Sequence, residues 1–584
     1  MTTIDREKLI QQAEAVKEKE PLQGFDRIKE IYGELCERKE LEAEEVEMDI
    51  EVYSDYLETL RAFEPSTEFE LTFLLKTRGK LERENKVYLK ERKKDEFEIK
   101  RPKLDARKVA DVLPEHCYLR RVSDLRDDSI PLYVYDPGCG IYTNSIQTID
   151  RYILAVQRDL ILSHRKEARE WLKSDTQRVP YVAPHRDASL TIVKNGILNL
   201  ETKELSPFTP QTIFTSTVAV NWRNNAEHPN FPNGWSFDQF LDEQAAGDER
   251  TIKFFWQLIQ YTLIPHISKL VFVLFYSEQA VTGKSMFLSL LTDLVGQANT
   301  TTATLKAIGE NSRFLTSSLY DKALIVGNEN DKTFIANNDL LKMLASGDYI
   351  SVEIKGGDRF IALSTPMNIQ AMNSLPRFAD LDEGTQNRLR VVEFRKSYAN
   401  EGGTRGNKEI KNKYMKDPQL LDWIAHKALS MPLEDIIVNP DTEKLRKALI
   451  LDSSPVAEFV DEVFPELVSS VLPTQFLFKW FRVWAHLGNR KADYTDKRFG
   501  RELSKFLPKE WKKFSQSRRA LKGFDNRDFY TFENERRQMQ GSYKWGEMEY
   551  IYDEENLKKN QATIERELSE QSEDKAKELP VSEM

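Results

Sequence analysis

The segment Thr282-Gly283-Lys284-Ser285 joins an apolar run, Leu270–Tyr276, to a stretch in which Met286, Leu288, Leu290 and Leu291 recur at helical spacing before Gly296. Strand, loop and helix in that order let backbone N–H groups and a helix N-terminus hold phosphate oxygens. Gln279, Ala280, Val281, Thr282, Gly283, Lys284, Ser285 and Met286 are therefore expected to bind a nucleoside triphosphate. Lys284 would reach the β- and γ-phosphates and Ser285 would ligate Mg²⁺. Such a loop usually has a glycine five residues before Gly283. Here that position is Glu278, whose charge opposes phosphate.

Hydrolysis needs more than a cradle. Ala323–Val326 reads as a second apolar strand that runs into Gly327-Asn328-Glu329. A carboxylate at such a strand end can activate water and hold Mg²⁺ through water, which makes Glu329 the candidate base and metal partner. Its neighbour is Asn328 rather than an acid, leaving more of the metal to Ser285 and water. A third strand, from Ile369, ends on Asn373, whose amide can orient the attacking water. Arg388 stands just before the strand that reaches Phe394 and is the candidate for an arginine donated to a neighbouring subunit, with Arg390 as its rival. Between these motifs, Ile350–Ile354 and Arg359–Leu363 read as a hairpin around Lys355-Gly356-Gly357-Asp358, where Lys355 and Gly356 can meet a nucleic-acid backbone.

A second group of residues lies near the C-terminus. From about Thr495 to Leu507, Phe499, Leu503, Phe506 and Leu507 fall on one helical face and Lys497, Arg498, Arg501 and Lys505 on the other. Trp511–Gln516, Arg518-Arg519 and Asp528–Phe532 read as a β-hairpin wing, so the segment predicts a winged helix-turn-helix that binds duplex DNA.

The elements that position these residues follow from composition and charge. The chain has 584 residues, 40% hydrophobic and 31% charged, with a formal net charge of −10. That charge is segregated. Met1–Leu74 holds 21 acidic and 9 basic residues, Lys479–Arg527 holds 15 basic and 5 acidic, and Asp553–Met584 holds 10 acidic and 5 basic. One basic block between acidic ends predicts a nucleic-acid face on one domain only. No run approaches the ~18–20 apolar residues of a membrane span, and Met1–Glu20, acidic and without an apolar core, is not expected to act as a secretory signal. Cys36, Cys117 and Cys139 are too far apart for a CxxC site. A cytoplasmic protein of a bacterial host cell is expected. Five regions follow: an acidic helical region (1–105), in which Lys80–Arg101 reads as a solvated helix or linker; a helical collar (106–266) with strands at Tyr133–Tyr135 and a hairpin at Asn195-Gly196; an α/β ATPase (267–450); the winged-helix domain (451–540); and an acidic, disordered tail (541–584).

Thr282-Gly-Lys-Ser-Met-Phe-Leu, Leu341-Lys342 with Ser346-Gly-Asp348, Met372-Asn373-Ser-Leu-Pro376 and Gly384–Phe394 resemble superfamily 3 helicases. The branch resembled is that of phage, plasmid and pathogenicity-island replication proteins, including staphylococcal ones, relatives of poxviral primase–helicases. Asn195–Thr202, Ser206–Pro210 and Phe240-Leu241 resemble the helical region that precedes the motor in that family. The resemblance implies an AAA+-like core, a homo-oligomeric ring (a hexamer), ATP with Mg²⁺, and translocation on single-stranded DNA, 3′ to 5′. It also places Lys355 in the ring's pore. With the basic block, it predicts a helicase that binds duplex origin DNA and initiates replication, host replication proteins being candidate partners. Two other readings stay open: an origin-binding initiator with a weak ATPase, which Glu278 and Asn328 motivate, and a primase–helicase. Against the latter, the 105 residues before the family segment are acidic and helical, and no primer synthesis is expected of them.

Overall fold

The computed structural model describes residues 23–38, 48–93, 96–312, 314–330, 334–354, 358–379, 381–398, 408–469, 472–490, 493–509, 511, 527–528, 531–532 and 534–535. The chain divides into two units, Met1–Ser454 and Pro455–Met584. The expected tail at 541–584 lies outside the described residues. No helix among those described is long and apolar enough to cross a membrane.

The first unit opens with helices α1 (Gly24–Glu37), α2 (Ile50–Ala62) and α3 (Glu68–Glu84), then an antiparallel hairpin of β1 (Tyr88–Lys93) and β2 (Glu96–Lys100). The hairpin and the buried end of α3 correct the expectation of a solvated helix or linker over Lys80–Arg101. Leu74 and Leu81 of α3 pack with Ile28, Ile31 and Leu35 of α1, whereas its Leu71 and Leu75 join a second core with Val109 and Ile153. A helix with apolar partners on two sides has no wet face to give its charges. Arg78, Lys80, Glu82 and Glu84 are buried instead, and they are paired. Arg78 meets Glu82 at 2.6 Å, Lys108 meets Glu82 at 3.2 Å and Arg101 meets Glu84 at 3.3 Å. Burial in such company is tolerable only because each charge finds a partner.

The region expected to be helical, 106–266, is mixed. It contains α4 (Ala106–His116), β3 (Leu119–Val122), β4 (Tyr133–Asp136), β5 (Ile141–Thr143), α5 (Ile146–Val156), α6 (Leu162–Ser174) and β6 (Tyr181–Val182). Its four strands form one small sheet in the order β5-β4-β3-β6. Next come β7 (Leu190–Val193), β8 (Gly196–Asn199) and β9 (Leu205–Ser206), with Asn195-Gly196 at the β7–β8 turn. Two helices close the region, α7 (Phe237–Ala245) and α8 (Glu249–Thr262), capped by the Ser236 and Asp248 side chains. These caps accept N–H groups the first turns would otherwise leave unpaired.

An α/β core follows. Its elements are β10 (Phe272–Tyr276), α9 (Lys284–Val295), β11 (Thr300–Thr302), α10 (Leu305–Glu310), α11 (Leu315–Leu319), β12 (Leu324–Asn330), β13 (Phe334–Ile335) and α12 (Asp339–Ser346). They continue as β14 (Tyr349–Glu353), β15 (Arg359–Leu363), β16 (Met367–Met372), β17 (Arg377–Phe378), α13 (Glu383–Arg388), β18 (Leu389–Glu393), α14 (Lys408–Asn412), α15 (Pro418–Ser430) and α16 (Pro440–Ser453). Five strands form a parallel sheet in the order β11-β12-β16-β10-β18. Every residue of β10 and β16 is buried, as expected of parallel strands covered on both faces. On one face Phe275 and Val273 pack with Phe255, Phe287 and Ile424; on the other Phe272 and Leu274 pack with Leu305, Leu341 and Leu344. The register sets Tyr276 beside both Met372 and Glu393, so β10, β16 and β18 end together. Ligand sites of open parallel sheets form at such strand ends.

In the second unit, α17 (Pro455–Val463), α18 (Thr474–Leu487) and α19 (Asp496–Phe506) share a core of Phe459, Trp480, Phe481, Trp484, Phe499 and Leu503. Thr495 caps α19. The expected wing is corrected where it can be seen: Arg527, Asp528, Thr531 and Phe532 are helical, not extended. The Asp528 carboxylate accepts the backbone N–H groups of Val468 and Ser469, and Phe532 packs on Phe476 and Trp480. This packing holds the described part of the segment against the α18 region. Residues 512–526, including Arg518 and Arg519, lie outside the described residues.

Candidate nucleotide-binding site

The β10–α9 connection has the geometry its sequence predicts. Gly283 takes φ +91° and is the N-cap of α9, with no side chain capping that end. The free N–H groups of the first turn therefore face the loop. Val281 is also left-handed, at φ +57°, a conformation a β-branched residue adopts only under restraint. The restraint comes from the chain beyond β18. Tyr398 donates its N–H to the Val281 carbonyl (3.0 Å), and the Ser397 hydroxyl donates to the Ala280 carbonyl (3.0 Å). On the other side, a Cβ on Gly283 would come within 3.2 Å of the Phe240 ring of α7.

Lys284 is buried, and its ammonium donates to the Asn373 Oδ1 (3.0 Å), the Ser277 carbonyl (3.3 Å) and the Thr282 hydroxyl (3.4 Å). Burial pushes its pKa down to about 8. Asn373 follows β16 directly, so the parallel register of β10 and β16 places a lysine and an amide, 89 positions apart, in contact. A cleft of about 590 Å³ opens here. Ala280 to Met286, Asn328, Asn330, Met372 and Asn373 form one side of its lining. Trp235, Phe240, Glu243, Tyr398, Lys408 and Ile410 complete most of the other.

Glu278 does not line this cleft. It is exposed and accepts a hydrogen bond from the Tyr276 hydroxyl at 2.8 Å. Burial, with Glu278 next in importance, pushes that phenol up to about 12. The strand-end phenol thus engages the carboxylate that sequence alone sets against phosphate.

Asn328 is exposed in the cleft. Glu329 lies on β12, and its side chain is outside the described residues. Asn330 escaped the sequence reading. Its Oδ1 accepts the Leu305 N–H (2.8 Å), and its Nδ2 donates to Gln370 Oε1 and the Ala371 carbonyl (both 3.1 Å). This buried amide locks β12, β16 and α10 together. Trp235, Glu243, Tyr398 and Lys408 were missed too. Only the two family-like residues Phe240 and Leu241 marked that α7 stretch.

ATP fits these residues: an uncapped helix end, a buried lysine and an amide converge on one cleft. For Mg²⁺ the fit is narrower. No group of three or more His, Cys, Asp or Glu side chains able to hold a metal occurs among the described residues. Ser285, exposed at the cleft, would share the ion with phosphate oxygens and water, the usual Mg²⁺ arrangement.

The arginines separate clearly. Arg390 is buried, and it donates to the carbonyls of Ile437, Asn387, Leu389 and Ile436. Burial, then Arg446, pushes its pKa down to about 10. This is a structural clamp, and the rival role for Arg390 is set aside. Arg388 is half-buried, donating to the Ser346 hydroxyl (2.8 Å) and the Gly384 carbonyl (2.9 Å), and it does not line its own chain's cleft. Strands β14 and β15 pair antiparallel, Glu353 opposite Arg359. Lys355 and Gly356 at their tip lie outside the described residues. In the second unit, Lys497, Arg498, Arg501 and Lys505 are all exposed on α19, opposite buried Phe499 and Leu503. Arg498 also stacks over Tyr494, 4.4 Å from its ring centre.

Comparison with known proteins gives matches to parts of the chain. Two apo structures of the NrS-1 C-terminal region align at 12% and 11% identity, over 69% of this chain and 94% and 86% of theirs. Their TM-scores are 0.40 and 0.39. No match was found among curated proteins. A family of unknown function (DUF5906) matches residues 275–388, from the end of β10 to Arg388. A model described as D5 N terminal like matches residues 146–244, and one described as poxvirus D5 protein-like matches residues 451–536. The chain thus carries D5-like sequence on both sides of its phosphate-loop core.

Proposed function

We propose that this protein is an ATP-driven DNA helicase of the D5-like primase–helicase kind, acting in replication. The observation that carries the reading is the Lys284–Asn373 contact at the ends of two adjacent parallel strands. Lys284 would bind the β- and γ-phosphates, and the amide beside it would sense or orient what attacks the γ-phosphate. Glu329 would serve as base, Ser285 as Mg²⁺ ligand, and Arg388 would reach the site of a neighbouring subunit in a hexameric ring. The D5-like matches on both flanks support a role in replication. Single-stranded DNA in the ring, contacted by Lys355 and Gly356, and 3′ to 5′ movement rest on the family resemblance. The exposed basic face of α19 supports duplex origin binding by the second unit. Arg518 and Arg519 would add phosphate contacts.

One observation favours a second reading, an initiator in which ATP gates assembly. Near the end of β12, the exposed residue that lines the cleft is an amide, Asn328. ATP hydrolysis with and without single-stranded DNA separates the two. The helicase reading expects strong stimulation, abolished by Lys284→Ala, with duplex binding kept. Negligible hydrolysis in the wild type under every condition selects the initiator.

A further inference from the structure

The nucleotide cleft is not built by the phosphate-loop core alone. Trp235, Phe240 and Glu243 come from α7 and the turn before it, some 40 residues upstream of the loop. Trp235 is half-buried, with Phe231 edge-on at 5.4 Å and Tyr414 at 5.7 Å, and part of it lines the cleft. Glu243, further along α7, is half-buried and lines the same cleft. Its Oε2 accepts from the Tyr398 hydroxyl (3.0 Å) and its Oε1 from Gln239 (3.1 Å). The Tyr398 oxygen accepts in turn from Gln244 Nε2 (3.1 Å). Gln244 is fully buried, its Oε1 has no partner, and its Nε2 lies 3.8 Å from where a Cβ on Gly283 would stand. A polar chain thus runs from behind the phosphate loop to a carboxylate on the cleft wall.

Resting on the reading of the cleft as a triphosphate site, we propose that α7 recognises the base: Trp235 supplies the apolar platform and Glu243 accepts a hydrogen bond from an exocyclic amino group. An indole and a carboxylate lining one cleft suit a flat ring with a donor on its edge. Each Glu243 oxygen already accepts one hydrogen bond and keeps a lone pair for another. Adenine offers an amino group at its edge, and unsubstituted purine lacks it. Base recognition is thereby assigned to a helix outside the phosphate-loop core.

The test is calorimetric binding to the full chain of Mg²⁺ complexes of ATP, purine riboside triphosphate (which lacks only the amino group) and inorganic tripolyphosphate. ATP is expected to bind about tenfold or more tighter than the purine analogue. Glu243→Ala should erase that preference, and Trp235→Ala should weaken both nucleosides while leaving tripolyphosphate unchanged. The proposal falls if wild type binds ATP and the purine analogue equally, or if Glu243→Ala keeps the preference. Tripolyphosphate binding without base discrimination overturns this assignment alone. Failure of every compound to bind overturns the triphosphate site itself.

Discussion

In the protein free of nucleotide, the Lys284 ammonium begins to lose its charge near pH 8, because burial disfavours the charged form. A bound triphosphate favours the charged form and raises that pKa. Binding then takes up a proton wherever the free lysine is neutral. Affinity for Mg·ATP is therefore full below about pH 8 and falls above it, by up to about tenfold per unit. Calorimetry from pH 7 to 9.5 checks this, and an affinity flat across that window refutes it. Asn373→Ala removes an acceptor of the same ammonium. If the amide acts on the γ-phosphate step, hydrolysis should fall about 10²-fold or more while ATP affinity changes little. An equal fall in affinity would assign Asn373 to binding only.

At the level of elements, α3 shows how closely the N-terminal helices are fitted. A Cβ on Gly79 would sit 2.0 Å from the Val156 carbonyl oxygen of α5, a backbone atom that cannot move aside alone. Gly79→Ala should destabilise the first unit by about 1–3 kcal/mol, the range for forced overpacking. Thermal unfolding reads this directly, and an unchanged midpoint would mean that α3 and α5 are not held together. The same helix marks the limit of the sequence. A continuous apolar run followed by Gly283-Lys284-Ser285 is legible because a strand buried on both faces needs no alternation and the loop needs its glycine. The hairpin at Asn195-Gly196 is legible from its turn alone. The buried charges of α3 are not, because composition reports that a residue is charged and not whether an arginine waits across the interface. Nor are Glu243 and Tyr398, which meet across 155 positions. The α19 stripe was legible because one periodicity fixes both faces. The helical state at Asp528 and Phe532 was not, since short charged segments fit helix and strand alike.

Taken whole, the molecule keeps its charge in separate places. The basic face of α19 belongs to the second unit, and the first 74 residues carry a large acidic excess. Changing Arg498 and Arg501 together to Ala should weaken duplex DNA binding and reduce the slope of log affinity against log salt by about 2, roughly 0.9 for each phosphate left without its arginine. Binding and slope both unchanged would remove α19 from the DNA face. The ATP hydrolysis proposed for the other unit provides the control. The parallel sheet bears on motion as well. β10 is hydrogen-bonded along both edges, to β16 and β18, whereas β11 is paired only with β12. Amide protons in the middle of β10 should therefore exchange with deuterated solvent only when the whole core opens, and those of β11 sooner. The loop at Gly283 hangs from one of the three interior strands of the sheet, so it can flex at its lip while its root is held on both sides.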